Sequence, residues 1–316
     1  MTKYTIKKYS KNDFSIWNDF IDQAKNATFL FYRDFMEYHK DRFEDFSLLV
    51  FEEEKLKAVL PANRKGNVVY SHQGLTYGGL VFSAKLNAEK VELILDEVLV
   101  FLKENKVETL YYKPIPNFYF SEGNTAIEFF LLKRGAVLER KEMNLAVNLS
   151  IPLKISKSKL KHFRRIENLD LDIIEEQNFD PFWVKVLEPR LWEKHNVKPV
   201  HSIKEIKFLK SKFPQNIKQY SAYTNNEIIA GITIFETKNV VKSQYGATSK
   251  IGEKLRALDF LFINLIRKYK DKGKFFLDMG IVDENNESGY NNGLLKQKEE
   301  LGCTVYSQDF YKIEIK

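Results

Sequence analysis

A chain that matches itself at a fixed offset is constrained to fold as two copies of one unit, because repeated patterns of buried and exposed side chains demand repeated packing. Here the offset is 172 positions. Ala58 falls on Ala230, Asn67 on Asn239, Val68 on Val240, Val69 on Val241, Ser71 on Ser243 and Gly74 on Gly246. Leu56 meets Ile228 and Phe51 meets Tyr223, with no gap between positions 46 and 74. After this window each half runs through a helix, a strand, a helix stopped by glycine (Gly135, Gly302) and a last strand. The length of 316 residues suits two domains of similar size. A hydrophobic share of 44% excludes a disordered chain.

In the first copy, Tyr4–Tyr9 alternates like a strand, and Asp13 is placed to cap a helix whose Ile16, Trp17, Phe20, Ile21 and Ala24 share a face. A helix is expected over Arg33–Lys40, and strands over Phe46–Glu52, Leu56–Ala62 and Val68–Ser71. Ala88–Glu104 carries Val91, Leu95, Val98 and Leu102 at helical spacing, Thr109–Lys113 is a strand, Thr125–Arg134 a helix and Val137–Leu149 strand material. In the second copy, helices are expected in Lys154–Arg165, Pro181–His195, Ile203–Lys212, Leu255–Lys270 and Asn292–Leu301. Strands are expected over Leu171–Glu175, Tyr220–Thr224, Ile228–Glu236, Val240–Ser243, Phe275–Asp278 and Val305–Ile315. The order predicts a mixed α+β fold in two domains, residues 1–150 and 151–316.

Lys and Arg number 50 against 43 Asp and Glu, a net charge of +7. That mild excess suits a phosphate-bearing ligand as well as nucleic acid. Cys303 is the only cysteine, which excludes an intramolecular disulfide and a cysteine zinc cluster. The five histidines (39, 72, 162, 195, 201) show no paired ligand spacing, so no metal is expected. There is no Walker loop and no Gly-x-Gly-x-x-Gly. Met1–Lys11 is polar, and apolar stretches such as Leu93–Leu102 are too short to span a bilayer and are broken by acids. A soluble cytoplasmic protein is the expectation.

Three stretches carry a family resemblance: the Asn239–Ser249 strand and loop, Phe275-Phe276-Leu277-Asp278-Met279-Gly280, and Gln297-Lys298-Glu299-Glu300-Leu301-Gly302. With the element order, they resemble the GNAT acyltransferase fold present twice, as in Fem-type peptidoglycan aminoacyltransferases and tandem-GNAT acyltransferases of surface-polysaccharide pathways. The last stretch is similar to the Lys-x-x-Phe-Gly that closes Fem-type chains, with Leu301 in place of Phe. The coiled-coil arm of long Fem-type proteins has no counterpart here. The resemblance implies acyl transfer to an amine from a thioester or an aminoacyl-tRNA, and some relatives acylate an amino sugar carried on a nucleotide.

The resemblance also places the donor. In the GNAT fold the pyrophosphate of coenzyme A meets backbone N–H groups at a helix start, where an anion is favoured. In the second copy that turn spans Ser249, Lys250, Gly252, Lys254 and Arg256, three cations against one acid, although a second small residue of the family's pattern is missing. An ordinary solvated helix start is the plainer alternative. The first copy has Gly78 and Gly79 here and no cation until Lys85, so the second domain is expected to bind acyl-CoA and the first to contact the acceptor.

Amide formation needs a neutral amine, a stabilised oxyanion and a protonated leaving thiolate. Tyr245 can protonate the thiolate and Gln244 can hold the acceptor, unless Tyr245 is a core aromatic. Asp278, ending an apolar strand, can take a proton or orient the amine, or simply cap the Gly280 turn. His201 is a candidate base beside Ser202, which can equally be only an N-cap. Lys298 matches the Fem-type lysine implied to contact acceptor phosphates or the oxyanion, and without that match would be a surface lysine. His72 and Tyr77, at the equivalent of Gln244, can touch an acceptor or serve structure alone. The acid-free run containing Arg164 and Arg165 suits a diphosphate or a solvated face; with Phe163 as its sole aromatic it is poorly equipped to stack nucleic-acid bases. Three functions follow: an N-acyltransferase moving an acyl group from acyl-CoA to a nucleotide-linked (dTDP- or UDP-) amino sugar, a tRNA-dependent aminoacyltransferase, or a non-catalytic tandem-GNAT binding protein.

Overall fold

The computed structural model describes residues 4–120, 126–169 and 171–316. Met1–Lys3 of the polar N-terminal stretch, and Thr125 at the start of an expected helix, lie outside the described residues. The first part of the chain forms strands β1 (Tyr4–Lys8), β2 (Glu44–Asp45), β3 (Leu48–Glu52), β4 (Lys55–Leu60), β5 (Asn63–Lys65), β6 (Val68–Tyr70), β7 (Val81–Phe82), β8 (Thr109–Tyr112) and β9 (Val137–Asn148). Its helices are α1 (Phe14–Gln23), α2 (Arg33–Met36), α3 (Ala88–Glu104) and α4 (Ala126–Lys133). The second part forms β10 (Asp172–Glu176), β11 (Ile217–Thr224), β12 (Glu227–Glu236), β13 (Val240–Thr248), β14 (Phe276–Ile281) and β15 (Thr304–Glu314). Its helices are α5 (Lys157–Glu167), α6 (Asp180–Phe182), α7 (Glu188–His195), α8 (Ile203–Lys212), α9 (Lys250–Leu255), α10 (Ala257–Asp271) and α11 (Asn292–Glu300).

The chain divides into two compact units, Met1–Glu142 with Ser307–Lys316, and Met143–Tyr306. In the first unit β1, β3, β4 and β7 form one antiparallel sheet. A second sheet runs β2, β5, β6, β8 and the end of β15, with β6 and β8 parallel. Asn87 caps α3 by accepting from the Lys90 N–H at 3.0 Å. The helix then buries Val91, Ile94, Leu95, Val98 and Leu102. Each side chain of that size contributes about 1.5–3 kcal/mol on leaving water.

The second unit is one mixed sheet, β10-β11-β12-β13-β14 followed by the last residues of β9, antiparallel except for β13 with β14. Helix α10 buries Leu261, Ile263, Leu265, Ile266 and Tyr269 in the unit's core. The duplication is visible in the hydrogen bonding. The parallel ladder of the first unit begins at Val68 with Thr109, and that of the second begins 172 positions later at Val240 with Phe276.

The last strand of each copy completes the unit containing most of the other copy. Asn144–Asn148 of β9 pairs with β14, and Tyr311–Glu314 of β15 pairs with β8. The helix expected over Pro181–His195 is interrupted: Trp183–Leu187 is a π-helical turn between α6 and α7. Pro189 has no N–H to return to the carbonyl four residues back, and a π turn absorbs the mismatch. The helix expected over Arg33–Lys40 shortens to α2 followed by a 3-10 turn.

Candidate active site

Strands β13 and β14 pair only from Val240 to Lys242 against Phe276 to Asp278, although β13 continues to Thr248 and β14 to Ile281. Beyond that point the ladder stops and the sheet forks. Both strands bulge there. Thr233 lies opposite Tyr245 while Ile234 lies opposite Ser243, which leaves Gln244 as the extra residue on β13. On β14 the register slips between Asp278 and Gly280.

Asp278 is 2% exposed and closes the base of the fork. It accepts from Lys242 Nζ at 3.0 Å, Asn144 Nδ2 at 3.0 Å and the Gly280 N–H at 2.8 Å. Lys298 is 5% exposed, and its Nζ donates to the carbonyls of Gly280 at 3.0 Å and Ile281 at 2.9 Å. Burial lowers its ammonium to about 8. The two residues thus meet around the Gly280 turn, the carboxylate on its N–H and the ammonium on its carbonyl.

The other arm of the fork carries a polar group. The His201 backbone N–H donates to Tyr245 Oη at 3.1 Å, and His201 Nδ1 lies 2.6 Å from the same oxygen. The Tyr245 ring packs edge-on against Trp183, with centroids 4.9 Å apart. Burial pushes the phenol up to about 12, opposed by the His201 N–H and the Gln244 side chain. Gln244 Oε1 is buried without a hydrogen-bond partner among the described residues. A buried unsatisfied acceptor beside a forked sheet is a place where a ligand N–H gains a full hydrogen bond.

Strand register extends this group across the sheet. Glu176 lies opposite Gln219, Gln219 opposite Thr233 and Thr233 opposite Tyr245. Thr233 Oγ1 donates to Gln219 Oε1 at 2.7 Å and accepts from Trp183 Nε1 at 3.2 Å. Sequence reasoning missed Gln219, Thr233, Trp183, Lys242 and Asn144. The signal for one of them was there, since Thr233 is a polar position inside the apolar run of β12. Ser202 forms a capping box with Glu205 at the start of α8.

At the proposed donor turn, Ser249 caps α9 by accepting from the Gly252 N–H at 3.1 Å. A Cβ on Gly252 would lie 2.2 Å from the Ile229 carbonyl oxygen and 2.4 Å from Thr248 Oγ1, so the glycine lets the helix sit on β12. Lys250 pairs with Glu193 at 2.7 Å, and Glu253 with Arg190 at 2.6 Å. Arg256 bends the chain in the left-handed region (φ 56) between α9 and α10. His162 is held below the usual imidazole range by burial, and then by the charges of Arg256, Arg165, Lys161 and Lys159. Of these, Arg256 comes from the other basic segment, while Lys159, Lys161 and Arg165 share α5 with His162. Arg164 lies beside Arg165 in the last turn of α5. Lys254 lies in the last turn of α9.

In the first unit, His72 is buried, adopts the left-handed region (φ 73) and lines a cavity. Burial, with a contribution from His39, lowers its imidazole to about 3. Tyr77 is placed in the core, its Oη donating to Thr28 Oγ1 at 3.0 Å and its ring edge-on to Phe31 and Tyr119. No group of three or more His, Cys, Asp or Glu among the described residues is placed to hold a metal. No described helix is long and apolar enough to cross a membrane.

No protein-family model matches the chain, and no curated protein matches its sequence. Solved structures do resemble it. FemX superposes with a TM-score of 0.72 at 11% identity, over 98% of this chain and 97% of that one. L-PGS from Bacillus licheniformis gives 0.62 at 12% identity, over 96% and 92%. A tandem GNAT protein from the clavulanic acid biosynthesis pathway gives 0.55 at 8% identity, over 99% of both chains. Identities this low speak to architecture, and the architecture shared over nearly the whole of each chain is the tandem GNAT fold.

Proposed function

We propose that this chain is an N-acyltransferase that moves an acyl group from a coenzyme A thioester to the amine of a nucleotide-linked amino sugar. The reading rests above all on the fork in the second unit, where Tyr245 and the unsatisfied Gln244 Oε1 stand on the bulged arm of β13. The acceptor nitrogen attacks the thioester carbon, the C–N bond forms and the C–S bond breaks. Tyr245 Oη–H protonates the departing sulfur. The amine's surplus proton returns to the phenolate through His201, whose Nδ1 touches Tyr245 Oη, so the step is balanced. Gln244 Oε1 accepts an N–H of the incoming amine. Asp278 and Lys298 hold the arms of the fork in place. The donor's phosphates are assigned to the Ser249–Arg256 turn, supported by its capped helix start and by the Arg256 charge felt at His162. Acceptor contacts are assigned to the first unit.

Coenzyme A release and product mass are the readouts. Acyl-CoA and aminoacyl-tRNA are offered in parallel with a panel of amino sugars, free and nucleotide-linked. Transfer from acyl-CoA alone supports the proposal, and transfer only from aminoacyl-tRNA replaces the donor. Tyr245→Phe removes one catalytic donor and is expected to lower kcat about 100-fold with KM little changed. Undiminished kcat would remove Tyr245 from the reaction.

A further inference from the structure

A cavity of about 520 Å3 lies within the first unit, in the size range of small-molecule sites. Its floor follows from strand register. Tyr70 on β6 is paired with Tyr111 on β8, and Tyr111 with Lys312 on β15. Alternation sends Leu110, Tyr112, Tyr311 and Ile313 to the hydrophobic core. The opposite face carries Tyr70 and Tyr111, with Phe310 and Lys113 beside them. The two tyrosine rings stack at 5.1 Å between centroids and 8° between planes, and both side chains are only half-buried. The Lys113 ammonium lies 5.1 Å from the centre of the Phe310 ring, and the Arg140 guanidinium 3.9 Å from it. Glu139 also lines the cavity, supplying an acceptor for hydroxyl or amino groups.

A half-open parallel ring stack beside two cations suits a flat aromatic ring that carries an anionic group. We propose that this platform binds a nucleoside phosphate, the base extending the Tyr70–Tyr111 stack and the phosphate seated on Lys113 and Arg140. Bases of every kind stack on tyrosine, while Arg and Lys grip phosphate oxygens with charge-assisted bonds. Glu139 is placed to accept from ribose hydroxyls or base amino groups. The assignment deepens the proposed function, on whose nucleotide-linked acceptor it rests. The same chemistry could be presented by a free sugar nucleotide or by the unpaired end of an RNA.

Calorimetric titration of the full chain, without any acyl donor, tests it with uridine, UMP, CMP and the trinucleotide CCA. UMP is expected to bind more tightly than uridine, and Lys113→Ala with Arg140→Ala to abolish that difference. Tyr111→Ala is expected to weaken UMP about tenfold, and Tyr111→Phe, which keeps the stacking face, to bind as the parent does. CCA binding at least tenfold tighter than CMP, and lost in Tyr111→Ala, identifies RNA as the source. Equal binding of CMP and CCA identifies a free nucleotide. Absence of binding by all four probes, or unchanged binding in a Tyr111→Ala protein with the parent's near-ultraviolet circular dichroism, overturns the proposal. Because no thioester is present, failure of acyl transfer with nucleotide binding intact would refute the proposed reaction and leave this site standing.

Discussion

Replacing Asp278 by Asn separates a structural from a chemical role at the fork. Asp278 is 2% exposed and the Lys242 side chain 14%, with the charges 3.0 Å apart. Asn at 278 keeps an oxygen for the Gly280 N–H and Asn144, but it turns an NH2 donor toward the Lys242 ammonium. Removing one partner of a buried ion pair costs about 3–5 kcal/mol. The retained bonds place the expected loss near the lower end, about 3 kcal/mol. Hydrogen exchange read by mass spectrometry on peptides from 240–248 and 276–281 localises the effect to this ladder. A loss of that size speeds exchange about 100-fold where opening is governed by this unit's stability. Lys242→Met added to Asp278→Asn removes the uncompensated charge and is expected to recover most of the protection. Exchange within about threefold of the parent in Asp278→Asn would refute the view that charge closes the fork. If transfer activity fell about 100-fold in the double variant while protection recovered, Asp278 would belong to the chemistry.

Gly252→Ala would drive a Cβ to 2.2 Å from the Ile229 carbonyl, which as sheet backbone cannot yield. We expect a loss of about 2 kcal/mol and a fall in melting temperature of about 5 °C, and an unchanged melting temperature would exclude the clash. Lys298 has its folded pKa lowered to about 8, below the unfolded lysine value near 10.4. Between those values the unfolded chain binds more protons, so stability rises with pH across that window, by at most about 3 kcal/mol. Urea unfolding of Lys298→Met at pH 7.5 and 10 is expected to lack that increment, and an identical rise in parent and variant would count against it. His201→Phe is expected to lower kcat about tenfold or more by removing the imidazole beside Tyr245 Oη, checked by coenzyme A release with folding followed by circular dichroism.

Several elements of the site were legible in the chain. The strand starting at Val240 and the apolar run that carries Asp278 stand out by local pattern, whereas the role of Tyr245, which lies within that strand rather than beyond it, follows from the resemblance to the GNAT fold. Thr233 interrupts an apolar strand, a visible signal, whereas Gln219 precedes the expected Tyr220–Thr224 strand in a stretch that also carries Lys218 and Ser221. Lys242 carried none, because its role depends on the parallel neighbour it meets. The capping role of Ser202 was visible as a helix start, and the structure adds its partner Glu205 and a second cap, Ser249 accepting from the Gly252 N–H. The interleaving of aromatics and cations that the run around Phe163 lacks occurs among Tyr70, Tyr111, Lys113, Arg140 and Phe310, residues scattered over 240 positions of chain.

By itself, the sequence determined the duplication and the α+β order of its elements. Helical and strand periodicities are local, and a repeated pattern of burial demands a repeated fold. Only the tertiary structure decided that Asn144–Asn148 joins β14 and Tyr311–Glu314 joins β8, that the parallel ladder ends after Lys242, and that Tyr70 stacks on Tyr111. Those outcomes depend on hydrogen-bond register between strands far apart in the chain, and no local pattern specifies which distant edge a strand will complete.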